Sequence, residues 1–271
     1  MSSHTTLTKT ITLGLAAAVA GLTITGCGGG GDGTTVSQAS NAAAASAPGA
    51  DLPKGSEPAN LDPAEFTTKI DNPYWPMQPG SRWVYRESDT TGARERVVVE
   101  VTDKTKTIAD GVEAVVVRDT VTDLETGHPV EVTDDWYSQD SAGNVWYLGE
   151  ATQEYVNGKP GPTTGSFEAG VDGAEAGIAM PANPEPGMEY RQEYLKGIAE
   201  DEGAVVTVGQ EQVQVPFGSF DRDVLMTRDL VPTEPKVQEL KFYAPGVGPL
   251  LTVHTDGAGG RGVLVSYEPG S

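Results

Sequence analysis

Period-2 alternation of apolar side chains, broken by short turns, constrains this chain more than any other feature. Arg96-Val97-Val98-Val99-Glu100-Val101 sends Val97, Val99 and Val101 to one side, and Val112-Glu113-Ala114-Val115-Val116-Val117 follows after only a KTKTIADG turn region. Further strands are predicted over 82–88, 129–140, 144–150, 187–195, 203–216, 223–231, 236–244, 247–254 and 262–267. Strands joined by turns of a few residues must run antiparallel, because parallel neighbours need long crossovers. Only Asp62-Pro63-Ala64-Glu65 reads as a helix start, with Asp62 as N-cap and Pro63 in the first helical position. The expectation is a mainly β domain over 62–268: a single large curved antiparallel sheet, barrel or half-barrel, with little helix.

One hairpin can be placed in register. In Asp134–Glu150, Asp140 suits the first position of a type I turn and Gly143 the left-handed position after it. Counting back pairs Tyr137 with Tyr147 and puts Val145 on their face, while Trp136, Trp146 and Leu148 share the other. Both faces are therefore aromatic. Two readings follow: a strand pair covered on both sides, or an aromatic ligand-binding surface built from Trp136, Tyr137, Trp146 and Tyr147.

Cys27 is the only cysteine among 271 residues, so it has no disulfide partner within the chain, and with three histidines a Cys/His zinc site is excluded. Its neighbourhood assigns it. Ile11 to Gly26 runs 16 residues without a charge, shorter than the ~20 apolar residues of a membrane span and ending in small residues. Ile24-Thr25-Gly26-Cys27 then resembles a bacterial lipobox, which implies cleavage before Cys27 and acylation of its thiol. At ~0.8 kcal/mol per buried CH₂, two or three acyl chains, palmitate among them, anchor a protein firmly. Residues 1–26 thus read as a signal peptide, and 27–61, rich in Gly, Ala, Ser and Pro, as a flexible lipid-anchored linker. The address is the extracytoplasmic face of a cell membrane, with the covalent lipid at Cys27 as the attachment.

Loss of residues 1–26 removes Lys9 and no acid, so the formal charge moves from −21 to −22. Nucleic acid is excluded as a partner by that excess of carboxylates. The match of 257–262 to GxGxxG is followed by a strand-like VLVSY and reads as a hairpin loop, and no nucleophile elbow, P-loop or HExxH is present. His128 and His254, the mature histidines, read as loop residues. The glycine-rich segment 165–201 is the longest irregular stretch: Glu168, Asp172 and Glu175 are oxygen donors of the kind Ca²⁺ takes, though in no known loop code, and Phe167, Ile178 and Met180 suit a lid over an apolar cavity. No catalytic residue, metal site or cofactor is assigned.

IDNPYWPMQPGSRWVY (70–85), TDDWYSQDSAGNVWYLGE (133–150), the segment 165–201, VPFGSF (215–220) and ELKFYAPGVG (239–248) resemble a family of secreted and lipid-anchored bacterial proteins of no assigned activity. The resemblance implies a single extracytoplasmic domain and carries over no catalytic residue. The chain departs from it at Arg118, where VVRD replaces a VHD-like string, and at Pro249-Leu250-Leu251. The function expected is a non-enzymatic binding or accessory protein for an apolar or amphipathic ligand. The alternatives are a hydrolase using carboxylates near the 134–150 hairpin, and a purely structural or interaction module.

Overall fold

The computed structural model describes residues 52–271 apart from 234, 236 and 256–258; Cys27, the signal peptide and most of the linker lie outside the described residues. Among the described residues twelve strands form a closed ring: β1 (Arg82–Asp89), β2 (Arg94–Thr107), β3 (Glu113–Asp123), β4 (Pro129–Asp140), β5 (Val145–Val156), β6 (Glu175–Met180), β7 (Glu189–Leu195), β8 (Ala199–Val208), β9 (Leu225–Leu230), β10 (Gln238–Ala244), β11 (Gly248–His254) and β12 (Gly260–Glu268). Each pairs antiparallel with its neighbours in chain order, and β12 pairs with β1, so the curved sheet is a complete up-and-down barrel. Full closure leaves no strand edge exposed within the ring. Its outward faces carry exposed charges such as Arg86, Arg96, Glu100, Arg118 and Arg228, where a lipid-facing barrel would carry an apolar band.

Eight strands make a barrel that side chains just fill, so twelve leave an interior that needs more material. The lower half obtains it from outside the ring. Trp83, Tyr85, Tyr137, Tyr147, Tyr190, Tyr243, Leu225, Leu250 and Leu264 point inward from the strands. Between them enters the segment 70–77, whose Ile70, Tyr74, Trp75 and Met77 join the same core. The Trp75 ring lies 5.6 Å from Tyr137 on β4 and 6.1 Å from Tyr243 on β10, and so bridges facing walls. Asn72 fixes this plug: its Nδ2 donates to the Gly143 and Pro181 carbonyls, while Gln139 Oε1 accepts from the Asp71 and Asn72 amides. A short hairpin, Val213–Val215 with Gly218–Phe220, contributes Val213 and Val215 to that core.

The turn of the Asp134–Glu150 hairpin forms as read. Gly143 has φ +94°, its amide donates to Asp140, and Tyr137 pairs with Tyr147. Past that pair the register shifts at Gly149, whose φ of +134° and contact with the Phe167 carbonyl exclude any side chain. On the outer face Trp136, Leu148, Val116 and Ile108 form a second core, capped by Ala59, Leu61, Phe66 and the half-buried Trp146.

Three local expectations change. The helix start is a single 3₁₀ turn, Pro63–Glu65, capped by Asp62, after which Phe66–Thr67 pair with the end of β4. Within 165–201, β7 falls on the strand read over 187–195, whereas β6 forms where only irregular chain was expected. From Leu52 onward the linker is laid along the barrel: Arg191 on β7 donates to the Gly55 and Glu57 carbonyls and to that of Ala176, its amide donates to Pro53, and Glu175 accepts from the Ala59 amide.

Candidate functional site

The upper half of the lumen is lined by acids. Continuing upward from the tyrosines, β1 presents Glu87, β2 Glu95 and β3 Asp119, all buried. Glu131, Thr133 and Asp135 follow on β4, and Glu150 and Thr152 on β5. Across the barrel stand Glu193 on β7, Asp201 on β8, Asp229 on β9 and Glu239 on β10. Against them stand two basic side chains, Lys241 and His254. Between Thr252 on β11 and Glu87 on β1, the β12 position is Gly262, so bare backbone forms the wall there.

The two basic residues are held by carboxylates. Lys241 Nζ lies 2.6 Å from Asp229 and 3.5 Å from Glu239, and His254 Nδ1 lies 3.0 Å from Glu239. Burial alone raises a carboxyl and lowers an amine. Here the mutual attraction prevails: Glu239 is held below its usual range by Lys241 and His254 despite burial, and Lys241 well above its own by Asp229 and Glu239. His254, expected in a loop, is thus a buried strand residue, with its Nε2 unpartnered among the described residues. His128 is exposed in its turn.

On the opposite wall the acids meet one another. Tyr147 Oη lies 2.7 Å from both Asp135 Oδ1 and Glu150 Oε2. A phenol has one proton, so one of those carboxyls must carry a proton of its own to complete the second bond. From Glu150 the chain continues through Thr152 and Thr133 to Glu131. Burial, with Glu131 and Asp134 nearby and despite the Tyr147 bond, pushes Asp135 up to about 7. Glu150 is pushed well above the usual range by burial and then Asp135. Glu95 rises to about 7 through burial and then Asp123, Glu131 and Asp89.

Glu87 and Asp119 go further: among the described residues no side chain bonds either oxygen of either carboxylate, nor Glu193 Oε1, and the Thr120 amide is the group that favours the ionised Asp119. Burial is the main cause of their strongly raised proton affinity, reinforced by Glu95 at Glu87, by Asp135 at Asp119 and by Asp201 at Glu193. Among the described residues no three His, Cys, Asp or Glu side chains converge to hold a metal ion.

The four hairpin aromatics divide between two places. Tyr137 and Tyr147 meet inside the barrel with ring centroids 5.0 Å apart, whereas Trp136 and Trp146 lie on the outer core, Trp136 under the Lys106 ammonium and Trp146 against Phe66. Both faces of the hairpin are covered by the protein itself. The hairpin carboxylates divide as well: Asp134 makes a bidentate pair with Arg118 on the outer surface, and Asp135 and Glu150 lie inside. Glu168, Asp172 and Glu175 do not converge. Glu168 pairs with Lys106, Glu175 binds the Ala59 amide and Asp172 is exposed; Phe167, Ile178 and Met180 are core residues.

No family model matches the chain, and no curated protein matches it. Solved structures similar to it include a protein from Bacteroides fragilis NCTC 9343 described as exported, with a YmcC-like fold: 16% identity, TM-score 0.41, 72% of this chain and 99% of that chain covered. Another is a protein from Parabacteroides distasonis ATCC 8503 described as a lipoprotein, with 16% identity, TM-score 0.37, and 73% of this chain and 100% of that chain covered.

Proposed function

We propose that this chain is a lipid-anchored protein of the extracytoplasmic face whose barrel binds a positively charged ligand. The lipobox at Cys27 supports the anchor, and one observation supports the ligand: the upper lumen gathers buried carboxylates far in excess of its two basic side chains. A buried carboxylate without a partner is costly unless a proton or a cation neutralises it. The sequence reading of an apolar or amphipathic ligand narrows accordingly, because Trp75 and its neighbours already fill the aromatic lower half.

Binding only the folded state raises stability by RT ln(1 + [L]/Kd), about 2.7 kcal/mol at a hundred times Kd. Melting the protein with small organic cations, divalent cations, matched anions and neutral sugars therefore reads the sign of the ligand directly. The melting temperature is expected to rise with members of the cationic set alone; a rise with anions or sugars alone would overturn the assignment. For the anchor, Cys27→Ser is expected to move the protein from the membrane fraction to the soluble one.

A further inference from the structure

We infer that the cation is a linear polyamine, spanning the upper lumen with its ammonium groups on Glu87, Asp119 and Glu193 and a methylene stem on the valines between Glu87 and Asp119. This rests on the reading of the lumen as a cation site and adds the shape of the ligand. Among the described residues, the lumen carboxylate oxygens without a side-chain partner include the two of Glu87, the two of Asp119 and Oε1 of Glu193. They stand on β1, β3 and β7. Neighbouring strands are about 4.8 Å apart, so even β1 and β3 are separated by roughly 10 Å along the wall, and β7 lies four strands beyond β3. A single bound metal ion gathers oxygens within about 2.6 Å of its centre, and no such group exists among the described residues. Dispersed acceptors call for an extended cation.

The lumen already shows how it holds an amine. The Lys241 ammonium, with its side chain 8% exposed, sits between Asp229 and Glu239. An ammonium has three donors and no acceptor, so a pair of carboxylates suits it. Between Glu87 and Asp119 the inward positions include Val97 and Val99 on β2 and Val121 on β3, with Val97 and Val121 buried, while Glu95 on β2 lies directly beside Glu87. The wall from Glu87 to Asp119 thus offers apolar surface to a methylene stem, and from Asp119 toward Glu193 it continues through Thr133, Asp135, Glu150 and Thr152. Gly262 on β12, beside Glu87, adds no side chain to obstruct it.

Isothermal titration of the full mature chain in detergent tests this with spermidine, spermine, butylamine, Ca²⁺ and Mg²⁺. Spermidine and spermine are expected to bind at one per chain, and butylamine and both metals far more weakly. Glu87→Gln and Asp119→Asn are each expected to weaken spermidine tenfold or more, the scale of a lost hydrogen bond between charged groups. Both variants should melt no lower than the parent, since each removes an uncompensated carboxylate; the exposed Glu125→Gln should change nothing. Tight binding of Ca²⁺, Mg²⁺ or butylamine at the level of spermidine would overturn the polyamine and leave the cation reading standing. Absence of binding by every cation in the panel would overturn both. Spermidine binding untouched by Glu87→Gln and Asp119→Asn would place the polyamine outside the lumen and overturn the assignment.

Discussion

Tyr147 has one hydroxyl proton and two carboxylates within hydrogen-bond reach of it. The bond it gives holds down the proton affinity of Asp135 and Glu150, both of which burial pushes up. Tyr147→Phe keeps the ring against Tyr137 and Phe167 and deletes only that bond. Its expected cost is about 1–3 kcal/mol in a urea melt, the range for leaving buried polar groups unpaired. The loss should be larger at pH 8 than at pH 5, because the two carboxyls then take up protons more readily and ionising them becomes more expensive. A pH-independent loss would mean that the hydroxyl contributes packing alone.

At the scale of strands, the alternating segments were legible and the acid lumen was only half so. Glu131, Thr133 and Asp135 share their phase with Tyr137, whose partner Tyr147 could be paired from the turn, so period-2 counting along β4 places all three beside an aromatic core. The usual assignment of polar positions to solvent hides them. Glu150 could not be read at all: the bulge at Gly149 moves it by one position onto the face of Tyr147. Strand β6 was hidden for another reason. Its residues EAGIAM are buried consecutively from Ala176 to Met180, so it has no alternation to detect. Apart from Leu52, which packs against the main core, the stretch to Ala59 offers only small and polar residues, and the buried Arg191 guanidinium holds it by reaching for its carbonyls. Deleting residues 52–60 strands that guanidinium and should cost about 1–3 kcal/mol or more, whereas deleting 28–50 should leave the urea midpoint unchanged.

For the molecule as a whole, the acid lumen sets the direction of the pH dependence. Burial pushes Glu95 and Asp135 up to about 7 in the folded state, and it pushes Glu87, Asp119, Glu150 and Glu193 well above the usual carboxylate range, all above their unfolded values. The folded chain therefore binds more protons than the unfolded one through this window, and stability falls as pH rises. Without a bound cation the melting temperature should decline from pH 5 to pH 8, the opposite of acid denaturation; a rise over that interval would contradict the burial of these groups. The seam of the ring has a consequence of its own. Strand β12, at the end of the chain, pairs with β1, joining Tyr85 to Leu264 and Arg82 to Glu268. Until β12 pairs, β1 and β11 each keep an open border, and contacts so distant in sequence form slowly. Closure of the ring is therefore expected to be the late step of folding, and until it is made the carboxylates of the lumen stay open to water and ionise as they would in a free chain.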